Sequence, residues 1–236
     1  MTDAVRTVAL GEQLAGLLRN RIVRGRIPAG THLVEDVLAA DHNVSRGPVR
    51  DALRSLLAEG LLETRRRGFY TKAFGQAEVD ELYEIRIAAE HLACRLAIQG
   101  SSDEDWEAAR LGLADMARNA KTGDQHAYAR ADLRFHTQFY VLSRNSRLLS
   151  LWHQYQPTFA TLLDITNAQD SDLRPSFEDH QYLLKLAEEG DWNSFSVQLE
   201  DHLAGSHRRL SSAINLRDDP TSAPLATTDE ERQSRS

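Results

Sequence analysis

Cysteine is almost missing from this chain: Cys94 stands alone in 236 residues. One thiol builds no disulfide framework, which sets aside the small secreted scaffolds and fits a reducing, cytoplasmic setting. Cys94 lies within an apolar helical pattern, where a small core residue is expected rather than a reactive thiol. No apolar run approaches the roughly 20 residues that span a bilayer, so no membrane partner is expected. The first residues also lack the charged-then-apolar layout of a secretory signal. Beyond Phe74 and Gly75 no alternating strand pattern occurs, and no internal repeat is evident along the chain.

Net positive charge is missing too: the formal balance is −7. Taken whole, that argues against nucleic acid, but the distribution reverses the argument. Residues 1–73 hold 12 Lys and Arg against 8 Asp and Glu, and the remainder holds 16 against 27. A basic module joined to an acidic one can rest its basic part on phosphate and keep the other part away from it.

What is present is helical periodicity. Val8, Leu10, Leu14, Leu17, Leu18 and Ile22 recur at helical spacing until Gly25, Pro28 and Gly30 break the pattern. A short helix over about 34–40, a turn at Asp41-His42-Asn43 and a helix opening at Ser45 follow. Ser45 is a suitable N-cap, Pro48 falls within the first turn, and Gly60 ends the helix after about Ala58. Residues 61–70 read as a basic-tipped hairpin with Gly68 at or near its turn. Further helices are expected over 76–99, 103–121, 124–143, 146–166, 173–189 and 192–214. The predicted stripe of the first of these is Val79, Leu82, Ile85, Ala89, Leu92 and Leu96. The short loops suit an antiparallel bundle. The polar, proline-bearing stretch 216–236 is expected to be a disordered tail. The fold class is therefore mainly α, with domains over 1–74 and 75–215.

A helix fits the major groove of DNA, and its first residues face base edges. Arg46 and Arg50, four apart, share one helix face, while Val49, Leu53, Leu56 and Leu57 face the core. Arginine suits paired hydrogen bonds to guanine or phosphate. Arg65, Arg66 and Arg67 concentrate charge on the hairpin, where it can approach the DNA backbone or minor groove.

These residues resemble the winged helix–turn–helix of the GntR transcription-factor family. The matching positions include Leu17, Ile22, Gly25, Pro28, Gly30, Leu33, Leu38, Val44-Ser45-Arg46, Pro48-Val49-Arg50, Ala52-Leu53, Glu59-Gly60-Leu61 and Gly68. The resemblance implies DNA contacts from Arg46 and Arg50, with Ser45 and Gly47 close by and Gly68 at the wing tip. One departure is Asp36, which stands where some relatives carry a DNA-contacting arginine.

A second constellation lies further along. Asp132 and His136 are four apart on one helix face, His180 lies near the start of a later helix, and His202 lies within the last. Imidazole and carboxylate suit Zn²⁺, Ni²⁺, Mn²⁺ or Fe²⁺. By spacing alone, the same four residues can also be surface or satisfied core groups. Residues 76–214 resemble the all-helical FCD ligand-binding domain of the FadR subgroup. The matching segments are Glu84-Ile85-Arg86 with Glu90, Asp132-Leu133-Arg134-Phe135-His136, Asn145, Leu148-Leu149, Asp179-His180 and Leu183, Gly190-Asp191 and Asp201-His202-Leu203. That resemblance implies a divalent metal held by Asp132, His136, His180 and His202, and it disfavours an acyl-CoA ligand.

Arg86 is a candidate to grip a small carboxylate effector, with an intrahelical ion pair to Glu90 as the alternative. Asn145 is a second effector candidate, or simply a helix-end residue. His91, His126, His153 and His207 are expected at the surface. The combined expectation is a homodimeric repressor that reads a pseudo-palindromic operator in double-stranded DNA and responds to a small organic acid. Rival readings are a metal-dependent hydrolase and a constitutive DNA-binding protein. No glutamate base in a known motif and no nucleophile elbow supports the hydrolase, so no catalytic residue is assigned.

Overall fold

The computed structural model describes the backbone of residues 2–167 and 172–218, and the expected tail falls almost wholly outside them. Helix α1 (Thr2–Val23) begins earlier than its apolar stripe and packs on α3 (Arg46–Ala58). Gly11 makes that approach close, since a Cβ there would meet the Pro48 carbonyl oxygen at 3.2 Å. Between them lies α2 (Glu35–Asp41), joined to α3 through Asn43 at φ 50, a left-handed turn position that asparagine tolerates. Val49, Ala52, Leu53 and Leu56 of α3 are fully buried, and Leu57 only partly.

Strands β1 (His32–Leu33), β2 (Leu62–Arg65) and β3 (Gly68–Thr71) form an antiparallel sheet in the order β1-β3-β2. Two-residue β1 had no sequence signature, because so short a strand shows no period. The hairpin turn is Arg66-Arg67, with Arg65 opposite Gly68. Gly68 thus opens β3 just past the tip, at φ 127. A Cβ there would also stand 3.0 Å from Nε2 of His32. Gly68→Ala is expected to cost roughly 1–3 kcal/mol of local stability, read as faster amide hydrogen exchange across β3. Unchanged exchange would contradict that reading.

Six long helices follow: α4 (Gln76–Gly100), α5 (Glu107–Thr122), α6 (Gln125–Leu142), α7 (Ser146–Asn167), α8 (Arg174–Glu188) and α9 (Trp192–Asp218). A single 3-10 turn, Asp103–Trp106, precedes α5, and α9 outruns its expected end near 214. The predicted stripe of α4 needs correction. Ile85 is exposed and Ala89, Leu92 and Leu96 are only partly buried, whereas Tyr83, Arg86, Glu90, Ala93, Cys94 and Ala97 are buried beside Val79 and Leu82. Two charged residues lie on that inner face because they pair with each other. Burial pushes the Cys94 thiol well above its usual range, as suits an inert core residue.

Among the described residues two apolar cores result. One surrounds Trp106, Phe135, Phe139 and Phe195. The other runs from Leu18 and Leu53 through Tyr83 to Trp152, Phe159 and Leu210, so the N-terminal module and the helical region share packing. Pro157 sits inside α7, where it cannot donate to the carbonyl of exposed His153. Among the described residues no helix is long and apolar enough to cross a membrane.

Candidate functional site: an arginine face and a buried histidine cluster

Ser45, Arg46, Gly47, Arg50, Arg65, Arg66 and Arg67 are all exposed, and Gly68 is half-buried. Ser45 occupies the N-cap of α3 with extended backbone, but its side chain makes no cap hydrogen bond. Two of the arginines are engaged by acids from the first turn of α2: Arg46 Nε meets Asp36 Oδ1 at 2.7 Å, and Arg50 Nε donates to Glu35 Oε2 at 2.8 Å. Arg65 bonds Glu63 at 2.7 Å and lies over the Tyr70 ring, 4.6 Å from its centroid. His32 stacks on Tyr70, and its Nε2 meets the Arg67 carbonyl oxygen at 2.9 Å.

Within the bundle, α6, α8 and α9 bring Asp132, His136, His180 and His202 together, all buried. Ligand nitrogens of the three histidines lie within 4.8 Å of one another. Asp132 Oδ2 is 3.4 Å from His180 Nε2, and its Oδ1 is 3.6 Å from His136 Nε2. Nδ1 of His180 meets the Ser176 carbonyl oxygen at 2.6 Å. A carbonyl oxygen only accepts, so that nitrogen carries the proton and Nε2 carries a lone pair. Nδ1 of His136 likewise donates to the Glu90 carboxylate. Its Nε2 faces that of His180 at 3.2 Å.

Electrostatics keep the cluster ready for a cation. Burial, with help from His202, pushes the His180 pKa down to about 3, and burial lowers that of His202. Burial opposes ionisation of Asp132, but His180, His136 and Arg86 outweigh it and hold the carboxyl below its usual range. The balance at Glu90 is similar, with His136 and Arg86 overcoming desolvation. His202 Nδ1 is buried without a hydrogen-bond partner, 4.0 Å from Asp179 Oδ2.

The donor set fits a divalent ion. Imidazole nitrogens about 2.0–2.1 Å from Zn²⁺ lie roughly 3 Å apart when adjacent, close to the spacing here. Glu90 and Ser176 act as outer partners that orient the histidines. The sequence signalled neither role: Glu90 meets His136 only in the fold, and the Ser176 carbonyl, one turn before His180 on α8, is a backbone group with no side-chain signature.

Arg86 is buried and donates from Nε to Glu90 Oε2 at 2.9 Å, the intrahelical pair named as its alternative. It lies 5.0 Å from the Phe159 ring centroid, and its Nη1 has no hydrogen-bond partner. Asn145 is occupied in capping α7, its Oδ1 accepting from Arg147 N and Leu148 N at 3.1 and 3.3 Å. Of the other histidines, His126 and His153 are exposed, while His91 packs on Trp192. His207 is partly buried, bonded to Asp80 at 2.7 Å and tilted on Tyr83.

Helix α3 is wired to the bundle through buried Glu59, one residue past its end. Its carboxylate accepts from Arg19 Nη2 at 2.7 Å, Ser55 Oγ at 3.0 Å and, from α7, Thr158 Oγ1 at 2.8 Å. Gln154 of α7 donates to the Ala58 carbonyl. Two other α7 side chains, Trp152 and Gln156, donate to Thr137 Oγ1 at 2.8 and 3.0 Å. Thr137 is the neighbour of His136 on α6.

Residues 10–70 match the model of the bacterial regulatory proteins of the gntR family, and residues 81–205 match the FCD domain. A probable D-xylose utilization operon transcriptional repressor from Paenarthrobacter nicotinovorans is 30% identical over 83% of this chain and 86% of that protein. The gluconate operon transcriptional repressor of Bacillus licheniformis is 28% identical over 74% of this chain and 71% of that one. Among solved structures, E. coli McbR/YncC superposes with a TM-score of 0.68 at 21% identity, covering 86% of this chain and 97% of that one, a likeness of fold. The head, the bundle and these relatives agree, and the chain belongs to the gntR family of bacterial regulatory proteins, as a transcriptional regulator with an FCD domain.

Proposed function

We propose that this regulator is a cytoplasmic homodimeric repressor. It reads a pseudo-palindromic operator with α3 and the β2–β3 wing, and a small carboxylate bound in the FCD domain weakens that grip. Asp132, His136, His180 and His202 hold a divalent cation, Zn²⁺, Ni²⁺, Mn²⁺ or Fe²⁺, there. The observation that carries the sensing half is the convergence of three buried imidazoles beside the Asp132 carboxylate, with Nε2 of His136 and of His180 3.2 Å apart.

The bound ion supplies a Lewis-acid position for a carboxylate. The protein's own part is to orient the imidazoles through Glu90 and Ser176. Arg86 is the proposed grip on the effector, on the ground of its unpartnered Nη1. The oxygen of Asn145 is taken by capping, and Asn145 is left to that task. Helix α7 ties the two ends together, since it bonds Thr137 beside a ligand on one side and Glu59 beside the recognition helix on the other. A displacement of α6 is thereby felt at α3, and a coupling of about 1–3 kcal/mol suffices for regulation.

Two relatives are named as repressors of a gluconate and a xylose operon, which supports repression and makes gluconate the first acid to try. The test is fluorescence anisotropy of metal-loaded protein on its operator duplex while small organic acids are titrated. Release by one acid and not by others is the expected result. Unchanged affinity across the whole panel would overturn the sensing role.

A further inference from the structure

Glu35 and Asp36 stand where a basic reading head should least want negative charge. Both lie in the first turn of α2, where the helix dipole favours carboxylates, and each binds an arginine of the recognition helix. The bonded atom is the same in both pairs: Asp36 Oδ1 takes Arg46 Nε at 2.7 Å, and Glu35 Oε2 takes Arg50 Nε at 2.8 Å.

A guanidinium held at Nε keeps its outer end, Nη1 and Nη2, free for the paired donation that guanine O6 and N7 accept. An arginine without such a hold is drawn to the nearest phosphate, a contact that carries no sequence information. The carboxylates also repel phosphate and so penalise sequence-blind contact. The wing differs: among the described residues no acid pairs with Arg66 or Arg67, which suits phosphate contact there.

We propose that Glu35 and Asp36 are positioning residues that aim Arg50 and Arg46 at guanines, trading overall DNA affinity for sequence specificity. The proposal rests on the reading of α3 as the DNA-docking helix. It gives Asp36 a task at the position where some relatives carry arginine.

The experiment starts by selecting duplexes from a random pool with the full-length wild-type chain. Affinities for the selected duplex and for a scrambled one are then compared by anisotropy at several salt concentrations. For Glu35→Gln and Asp36→Asn, binding to the scrambled duplex is expected to tighten several-fold. The selected-to-scrambled ratio should fall by about tenfold, with relaxed preference at guanine positions. Asp36→Glu, which keeps a carboxylate in reach, should recover most of the ratio. Equal tightening on both duplexes would overturn the proposal, because the acids would then only repel DNA. So would an unchanged ratio, or failure of Asp36→Glu to differ from Asp36→Asn. If the wild type enriches no sequence at all, the DNA-docking reading itself falls, and the proposal with it.

Discussion

Glu59→Ala is expected to lower folding stability by about 3–5 kcal/mol, the usual cost of breaking a buried ion pair from one side. Glu59 and Arg19 lie 40 residues apart in sequence, yet their side chains are only 2% and 9% exposed. Without the carboxylate, the Arg19 guanidinium stays buried and uncompensated, and the hydroxyls of Ser55 and Thr158 lose their acceptor. For a chain of this size the loss amounts to a melting temperature roughly 10 °C lower, measurable by circular dichroism. Melting within a degree or two of the wild type would show that the pair adds nothing. Thr158→Val isolates the link to α7, since it removes one hydrogen bond and leaves the ion pair whole. That variant should melt near the wild type while its operator affinity responds less to the effector. A full response would mean that coupling travels by another route.

His180→Ala is expected to reduce divalent-metal affinity by at least 100-fold. Glu90→Gln, which touches the site only through His136, should reduce it by about 10- to 100-fold. Competition with a chromophoric chelator reads both. Saturating metal at 100 times its dissociation constant should stabilise the wild type by about 2.7 kcal/mol, and His180→Ala should forfeit that gain. Stoichiometric metal in the purified variant would remove His180 from the ligand set. The metal-free chain should also be sensitive to acid. With His180 held near pKa 3, against 6.5 for the free side chain, the unfolded state binds a proton between those values that the native state refuses. Stability therefore falls as pH drops through that window.

Local signals account for what was legible in the chain. The cap position of Ser45, the early Pro48 and the stop at Gly60 place α3 without tertiary knowledge. The spacing of Asp132 and His136 puts both on one face of α6. What escaped depends on pairing across the fold. Strand β1 exists because β3 offers it backbone partners. The inner face of α4 could not be read as buried, because Arg86 and Glu90 look like solvent-facing residues until His136 and the Tyr83, Trp152 and Phe159 rings enclose them. Glu59 likewise passes for an ordinary helix-end acid until Arg19 and Thr158 close on it.

Pro157 gives α7 an unusual mechanical character. The helix bonds the N-terminal module at Gln154 and Thr158 and Thr137 of α6 at Trp152 and Gln156, and its missing backbone bond, between 157 and 153, falls among those contacts. Flexing there ruptures one interaction fewer than flexing elsewhere along the rod. The softest joint of α7 thus lies at its middle, where contacts to α6 and to the N-terminal module interleave, so strain passing between the two concentrates at one point of the helix instead of spreading along it.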